Sequence, residues 1–283
     1  MRVLVFGAAG QLGEELVRQA RAAGEEVTGL TRAEIDVTDS AAVRAAVSDA
    51  KADVVFNAAA YTAVDRAEEE PELAMAINGV APGVMAAAAA ETGSRFVHYS
   101  TDYVFDGSAT GPIPENAIPA PAGEYGRSKL AGEQAVQAAG GKAFVVRTAW
   151  VYGLHGKNFI STVLRVARQA GEMRVVNDQR GSPTWARDLA SASRRLAEIG
   201  PPGTYHLTNS GDCTWYDLAC LVVERAEIAA EIVPITTADY PTPARRPAYS
   251  VLDNRRWREL GQPPLRRWQD AAAEFLEDLA REA

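Results

Sequence analysis

Tyr125 and Lys129 stand four residues apart in Tyr125-Gly126-Arg127-Ser128-Lys129, a segment that opens a stretch with helical patterning. On a helix that spacing puts both side chains on one face. A free phenol, with a pKa of about 10, exchanges protons poorly at neutral pH. An ammonium beside it favours the phenolate and eases proton transfer. Such a pair suits a reaction in which a proton moves while another group delivers hydride. The same pair also occurs on ordinary solvated helices, so its meaning depends on the elements that hold it.

Those elements alternate. Residues 2–6, 26–30, 54–57, 95–100 and 143–148 read as strands, and residues 11–23, 41–50, 68–92 and 125–138 as helices, the third of them broken or kinked near Pro82. Short, continuous apolar strands between helices predict an α/β fold, a Rossmann-like doubly wound parallel sheet. After Trp150 the rhythm changes. Helices are expected at 159–170, 188–199, 214–226 and 267–280, separated by connectors such as Gly200-Pro201-Pro202-Gly203. Residues 205–207 are expected to return one more strand to the sheet. Residues 1–150 therefore read as a dinucleotide-binding domain. Residues 151–283 read as mainly a smaller substrate-binding lobe, interleaved with the last strands and helices of the first.

With 283 residues, 47% of them hydrophobic and 23% charged, the chain has the make-up of a soluble globular protein. Its net charge of −8 argues against nucleic acid and anionic membranes as partners. No segment reads as long enough to span a membrane. Val3-Leu4-Val5-Phe6 is too short for a secretion signal and runs into glycines. Cys213 and Cys220 do not make a disulfide framework, so a reducing cytoplasm is expected. His98, His155 and His206 are scattered without metal-ligand spacing.

Gly7-Ala8-Ala9-Gly10-Gln11-Leu12-Gly13 joins the first strand to the first helix. Gly7 permits a tight turn, Gly10 lets backbone approach a diphosphate, and Gly13 allows close helix–strand packing. The helix start adds free N–H groups and a positive dipole end. At the end of the second strand, Leu30-Thr31-Arg32 lacks the carboxylate that meets an unmodified ribose. Arg32 suits a 2′-phosphate instead, so NADPH is the expected cofactor, with NADH possible.

Four further segments carry a family resemblance: Asp36-Val37-Thr38-Asp39, Asn57-Ala58-Ala59-Ala60-Tyr61-Thr62, His98-Tyr99-Ser100-Thr101-Asp102-Tyr103-Val104-Phe105-Asp106-Gly107, and Tyr125 with Lys129. Together they resemble the extended short-chain dehydrogenase/reductases. Within that superfamily, nearly the whole chain is similar to the dTDP-4-dehydrorhamnose reductase family. The specific segments are Ser100 to Gly107, Arg147-Thr148-Ala149-Trp150-Val151-Tyr152-Gly153, and Asn177-Asp178-Gln179 with Gly181, Pro183 and Thr184. Tyr240-Pro241-Thr242-Pro243 and Arg246-Pro247 with Ser250 and Leu252 complete the set.

The resemblance implies NAD(P)H-dependent reduction of the C4 ketone of dTDP-4-dehydro-6-deoxy-L-mannose to dTDP-L-rhamnose. It makes Tyr125 the proton donor, and Lys129 the residue that binds the nicotinamide ribose and lowers the Tyr125 pKa. It makes Thr101, with Ser100 as runner-up, the hydrogen-bond donor to the developing alkoxide. The cofactor is expected on Gly7, Gly10, Gln11, Leu12, Gly13, Arg32, Asp36, Val37, Ala58, Ala59, Ala60, Tyr61, Thr62, Tyr99 and the Tyr125–Lys129 pair. The nucleotide sugar is expected on Val64, Asp65, Thr101, Asp102, Tyr125, Trp150, Asn158 and Phe159, with Arg246 near the diphosphate. Arginine suits that last task because its planar fork pairs bidentately with phosphate.

Two alternatives remain open on the resemblance. One is a related sugar-nucleotide reductase such as dTDP-dihydrostreptose synthase. The other is a noncatalytic NADP-binding regulatory relative such as the beta subunit of methionine adenosyltransferase, against which the intact Thr101, Tyr125 and Lys129 set argues. Some family members dimerise through magnesium held by glutamates. Glu15 matches one such position, but Arg187 stands at the other and cannot ligate a metal. No metal is therefore expected, and the chain is expected to be a monomer or homodimer.

Overall fold

In the computed structural model, which describes residues 1–282, six strands lie side by side and pair in parallel. They are β1 (Arg2–Phe6), β2 (Glu26–Leu30), β3 (Val54–Asn57), β4 (Arg95–Thr101), β5 (Lys142–Thr148) and the strand Gly203–His206. Their order across the sheet is Gly203–His206, β5, β4, β3, β1, β2. β3 is buried along its whole length, and so is β1 from Val3 to Phe6. That is why these strands read as unbroken apolar runs: both faces are covered.

The helices are α1 (Gln11–Ala22), α2 (Ser40–Ala50), α3 (Val64–Ala67), α4 (Pro71–Met75), α5 (Ala81–Thr92) and α6 (Glu124–Ala139) in the first half. The second half holds α7 (Phe159–Ala170), α8 (Ala186–Ile199), α9 (Trp215–Arg225), α10 (Arg255–Glu259) and α11 (Trp268–Glu282). One face of the sheet packs on Leu16 and Val17 of α1 and Leu189 and Leu196 of α8. The other packs on Val43 and Val47 of α2, Met85 and Ala89 of α5 and Val136 of α6. A third core lies in the second half, where Ile160, Val163, Trp185, Leu218, Val222 and Phe275 meet. There Glu172–Val176 pairs in parallel with Glu231–Ile235. α8 and the strand Gly203–His206 thread this half back onto the sheet.

The chain steps from β1 to β2 in one direction and then returns to β3 on the other side of β1. Such a switch point opens a crevice at the carboxyl ends of the strands. Phe6 registers with Asn57 and Asn57 with His98, so Gly7, Ala58 and the end of β4 come out beside one another.

Two expectations need correction. The helical stretch 68–92 is not broken at Pro82: Pro71 starts α4, Ala76–Val80 forms a π-helical turn, and Pro82 sits in the first turn of α5. There its missing N–H costs no intrahelical bond. Further, Pro71–Thr92 is long and apolar enough by length and composition to cross a membrane, contrary to the expectation that no segment is. Half of that window is buried inside the fold, where the stretch packs against α2 and α6.

The π turn also fixes how closely α6 approaches. A Cβ at Gly132 would lie 2.1 Å from the Asn78 carbonyl oxygen. Gly132→Ala must therefore push α6 away from the turn, and a loss of about 1–3 kcal/mol in denaturant unfolding is expected for such overpacking. Unchanged stability would contradict this close contact.

Candidate active site

β4 ends at Thr101 and α6 begins at Glu124, bringing Thr101 and Tyr125 together at the carboxyl edge of the sheet. A Cβ at Gly126 would lie 2.2 Å from the Tyr103 carbonyl oxygen, so only glycine lets the first turn of α6 sit so near the turn after β4. Tyr103 meets the Tyr125 ring edge-on, with centroids 5.5 Å apart. Thr101 lies within hydrogen-bonding reach of the Tyr125 phenol. In the structure the Thr101 hydroxyl donates to Asp102 Oδ1 at 2.9 Å and accepts from the Tyr103 N–H at 3.2 Å.

Successive residues of a strand face opposite ways. Ser100 accordingly turns to the α6 face and donates to Glu133 at 2.5 Å. That bond removes Ser100 as a rival donor to a substrate carbonyl.

Lys129 is buried, and its Nζ donates to the Tyr99 carbonyl oxygen at 2.5 Å. Burial pushes the Lys129 ammonium down to about 8, with Glu133 opposing the shift. Tyr125 keeps some solvent contact, yet its surroundings are dense. Desolvation pushes the phenol up to about 12, with the neighbouring Thr101 hydroxyl opposing the shift and the Asp102 carboxylate adding to it. The expected lowering of the Tyr125 pKa by Lys129 is thus not seen: the ammonium faces a backbone carbonyl, and burial of the phenol dominates. A group with that pKa is protonated at neutral pH, as a proton donor must be.

The glycine loop has the shape of a diphosphate cradle. Gly7 has φ +75°, and a Cβ there would lie 2.6 Å from the Ala59 nitrogen. A Cβ at Gly13 would lie 2.1 Å from the Gly7 carbonyl oxygen. Gly10 is the N-cap of α1, with no side chain bonded to the first-turn N–H groups. They remain free for an anion. Gly7 and Ala8 both donate to the Leu30 carbonyl oxygen, at 2.9 and 3.1 Å, which holds the 30–32 segment beside the loop. Arg32 there is exposed and makes no ion pair among the described residues. Asp36 is also exposed, its carboxylate accepting from Thr38 N and Oγ1 at 2.9 and 2.7 Å.

Asn78, which the sequence reading missed, clamps the strip that follows β3. Its Oδ1 accepts from the Tyr61 N–H at 2.9 Å, and its Nδ2 donates to the Tyr61 carbonyl at 3.0 Å and to Ser128 Oγ at 3.1 Å. The strip Ala58 to Thr62 is thereby tied to α6. An asparagine inside the apolar run Ala76-Ile77-Asn78-Gly79-Val80 was the available signal, because a buried amide needs partners.

Of the expected substrate residues, Asp65 and Arg246 meet each other. Arg246 donates from Nη2 to Oδ2 at 2.8 Å and from Nη1 to Oδ1 at 3.0 Å. The guanidinium expected at a diphosphate therefore stands in a bidentate pair. Trp150 adopts φ +48° and stacks on Trp215 with centroids 3.4 Å apart. Gly181 presses on the same indole, since a Cβ there would lie 2.5 Å from it. Phe159 reaches this group through Trp215, at 4.7 Å. Trp215 was also missed, and its indole N–H donates to Gln179 at 3.2 Å. Asn158 caps α7 and donates to the Gly153 carbonyl at 2.8 Å and to Gln11 at 3.4 Å, bringing the second half against the glycine loop. Val64, partly buried, starts α3.

At the position considered for a metal, Arg187 Nε lies 3.9 Å from Glu15 and the guanidinium also pairs with Glu274 and Asp278. Among the described residues no cluster of three or more His, Cys, Asp or Glu could hold a metal ion.

Comparison with known proteins adds four observations. The sequence profile of the family described as RmlD substrate binding domain matches residues 1–281. The chain is 44% identical to a dTDP-4-dehydrorhamnose reductase of Burkholderia thailandensis, across 99% of each chain. It is 44% identical to a probable dTDP-4,6-dihydroxy-2-methyloxan-3-one 4-ketoreductase of Streptomyces antibioticus, across 99% of this chain and 96% of that one. Among solved structures, it is similar to dTDP-4-dehydrorhamnose reductase from Bacillus anthracis in complex with NADP. That likeness has a TM-score of 0.95 and 35% identity, over 98% of this chain and 99% of the other.

Asp102 yields a test by pH. It is buried, and desolvation raises its carboxyl to about 6, with Ser250 and Thr101 opposing. A carboxyl raised on folding stabilises the native state fully below its unfolded pKa of about 4, and that contribution is lost as pH rises through about 6. Two pKa units correspond to about 3 kcal/mol. Asp102→Asn should therefore gain up to about 3 kcal/mol relative to the parent between pH 4 and pH 7 in urea unfolding. A difference that stays constant over that range contradicts the burial account.

Proposed function

The chain belongs to the dTDP-4-dehydrorhamnose reductase family, and from that premise we propose that it reduces the C4 ketone of dTDP-4-dehydro-6-deoxy-L-mannose with NADPH. The observation that carries this reading is the meeting of Thr101, Tyr125 and Lys129 at the end of β4, beside the glycine cradle. When bound, the nicotinamide supplies the hydride to C4. Tyr125, protonated at neutral pH, gives its proton to the oxygen as that atom becomes an alkoxide. Lys129 would hold the cofactor ribose through its ammonium.

Thr101 has a single hydroxyl proton, and Asp102 accepts it in the structure. With Asp102 protonated, the acid can donate to Thr101 Oγ1 instead, and the Thr101 proton becomes free for the substrate oxygen. The free N–H groups of α1 and exposed Arg32 support NADPH, with NADH a possible second coenzyme. The second half, with its own core, is the part we assign to the nucleotide sugar. Asp65 and Arg246 stand in its path as a pair, so a diphosphate there must share or displace the Asp65 carboxylate. A different 4-keto sugar nucleotide is the second reading, supported by the identity to the Streptomyces antibioticus ketoreductase.

Incubation with NADPH and the 4-keto substrate should give turnover, followed as loss of reduced-coenzyme absorbance. No turnover with NADPH or NADH would refute the proposal. Tyr125→Phe should lower kcat by about 10²–10⁴ while NADPH binding persists, the usual worth of a positioned acid. Arg32→Ala should raise KM for NADPH and leave that for NADH nearly unchanged; equal effects on both would remove Arg32 from the 2′-phosphate.

A further inference from the structure

Glu133 stands one helical turn beyond Lys129 on α6, as Lys129 does beyond Tyr125. Residues spaced by four share a face, so the phenol, the ammonium and the carboxylate form one row. Lys129 and Glu133 are 2% and 1% exposed. The carboxylate is anchored at both oxygens. Ser100 donates to Oε1 at 2.5 Å, Arg147 Nε to the same oxygen at 2.9 Å, and Arg147 Nη2 to Oε2 at 2.6 Å. Ser100 and Arg147 are register partners on β4 and β5, so they present side chains to α6 from the same face. Arg147 is itself 4% exposed, donates to the Glu115 carbonyl at 3.3 Å and lies over the Phe105 ring.

None of the three donors to Glu133 belongs to the proton-transfer set, and a purely structural pair could sit anywhere along α6. Its position is what matters. Lys129 has one hydrogen bond, to the Tyr99 carbonyl, and no carboxylate within ion-pair distance among the described residues. Burial without a countercharge lowers the pKa of an ammonium. The groups that face it are few. Tyr125 is a neutral phenol, and His98 on β4 is uncharged, because burial and the Lys129 charge both push its pKa well below the ordinary range. Arg147 on β5 is paired with Glu133. Glu133 is thus the one nearby group whose charge favours the ammonium.

We infer that Glu133 is a positioning residue for the reduction: fixed by Arg147 and Ser100, its carboxylate keeps Lys129 an ammonium and so sets the alkaline limit of cofactor binding and turnover. This rests on the proposed reductase function for turnover, but not for binding.

The experiment records kcat/KM and NADPH affinity against pH for the parent, Glu133→Asp, Glu133→Gln, Arg147→Gln and the double variant Glu133→Gln/Arg147→Gln. An opposite charge at this range shifts a titration by about 1–3 units. Both variants that lack the carboxylate should lose NADPH binding and turnover about 1–3 pH units earlier on the alkaline side. Glu133→Asp, which keeps the carboxylate and its anchor, should retain the parent's alkaline limit, and Arg147→Gln, which leaves the carboxylate unanchored, should fall between the parent and Glu133→Gln. The double variant leaves no orphaned buried charge, so it separates the carboxylate's effect on Lys129 from damage to the fold. An alkaline limit in the double variant equal to the parent's overturns the inference. A parent that binds NADPH but turns over no 4-keto sugar nucleotide refutes the reductase proposal alone, because the shift in binding still reports on Lys129.

Discussion

A buried carboxylate–guanidinium pair holds the candidate site together. Glu133 and Arg147 bring α6 onto β4 and β5 at one point, with Ser100 as the third member. Each ion costs several kcal/mol to remove from water, and the pair recovers this only when its remaining hydrogen-bonding capacity is met. Here it is met, since every acceptor oxygen of Glu133 has a donor and Arg147 also reaches the Glu115 carbonyl. The pair fixes the rotation of α6 about its axis. The same rotation sends Tyr125 toward Thr101, Lys129 toward the Tyr99 carbonyl, and Gly132 against the π turn that carries Asn78. Turning α6 by even one residue would break all of these contacts at once.

The π turn works with that constraint. Widening the helix by one residue there lets the Asn78 side chain reach both the strip after β3 and Ser128 on α6. The strip after β3 and α6 are thus joined by one amide. π-helical turns are rare and concentrate at functional sites. Glycines do the complementary work, since Gly7, Gly13, Gly126 and Gly132 each stand where backbone atoms leave no room for a Cβ.

Much of this was readable in the sequence, and the failures have physical causes. Parallel strands covered on both faces leave continuous apolar runs, so β1, β3, β4 and β5 were legible, and the glycine loop announced its turn. Thr101 ranks ahead of Ser100 on the resemblance, but their faces were not legible, because the strand reads as ending at Ser100, whereas β4 continues to Thr101 and its alternation assigns them to different faces. The Asp65–Arg246 pair joins residues 181 positions apart, and no local pattern encodes it. Trp215 on Trp150 is a contact of the same kind, set by how two connectors fold over each other. The effect of Lys129 on Tyr125 rests on spacing and on the family resemblance. Spacing shows which face a side chain shares, but not that its ammonium will meet a backbone carbonyl.

That last difference changes how the site is understood electrostatically. Tyr125 is raised, Lys129 lowered and Asp102 raised, and in each case desolvation is the first cause. The protonation states are set by a dry environment more than by charge pairing, and in such an environment every remaining charge acts strongly. A phenol with a pKa of about 12 is ionised in roughly one molecule in 10⁵ at pH 7. The resting site therefore holds a proton on Tyr125, the state the proposed reduction requires. The same burial threatens Lys129, because it favours the neutral amine over the ammonium. A carboxylate one turn along the helix offsets that tendency only if it stays charged, and a carboxylate bonded to a guanidinium and a hydroxyl does. The buried pair that fixes the helix is, by its place on the helix, also the pair that lets the dry site keep its one working cation.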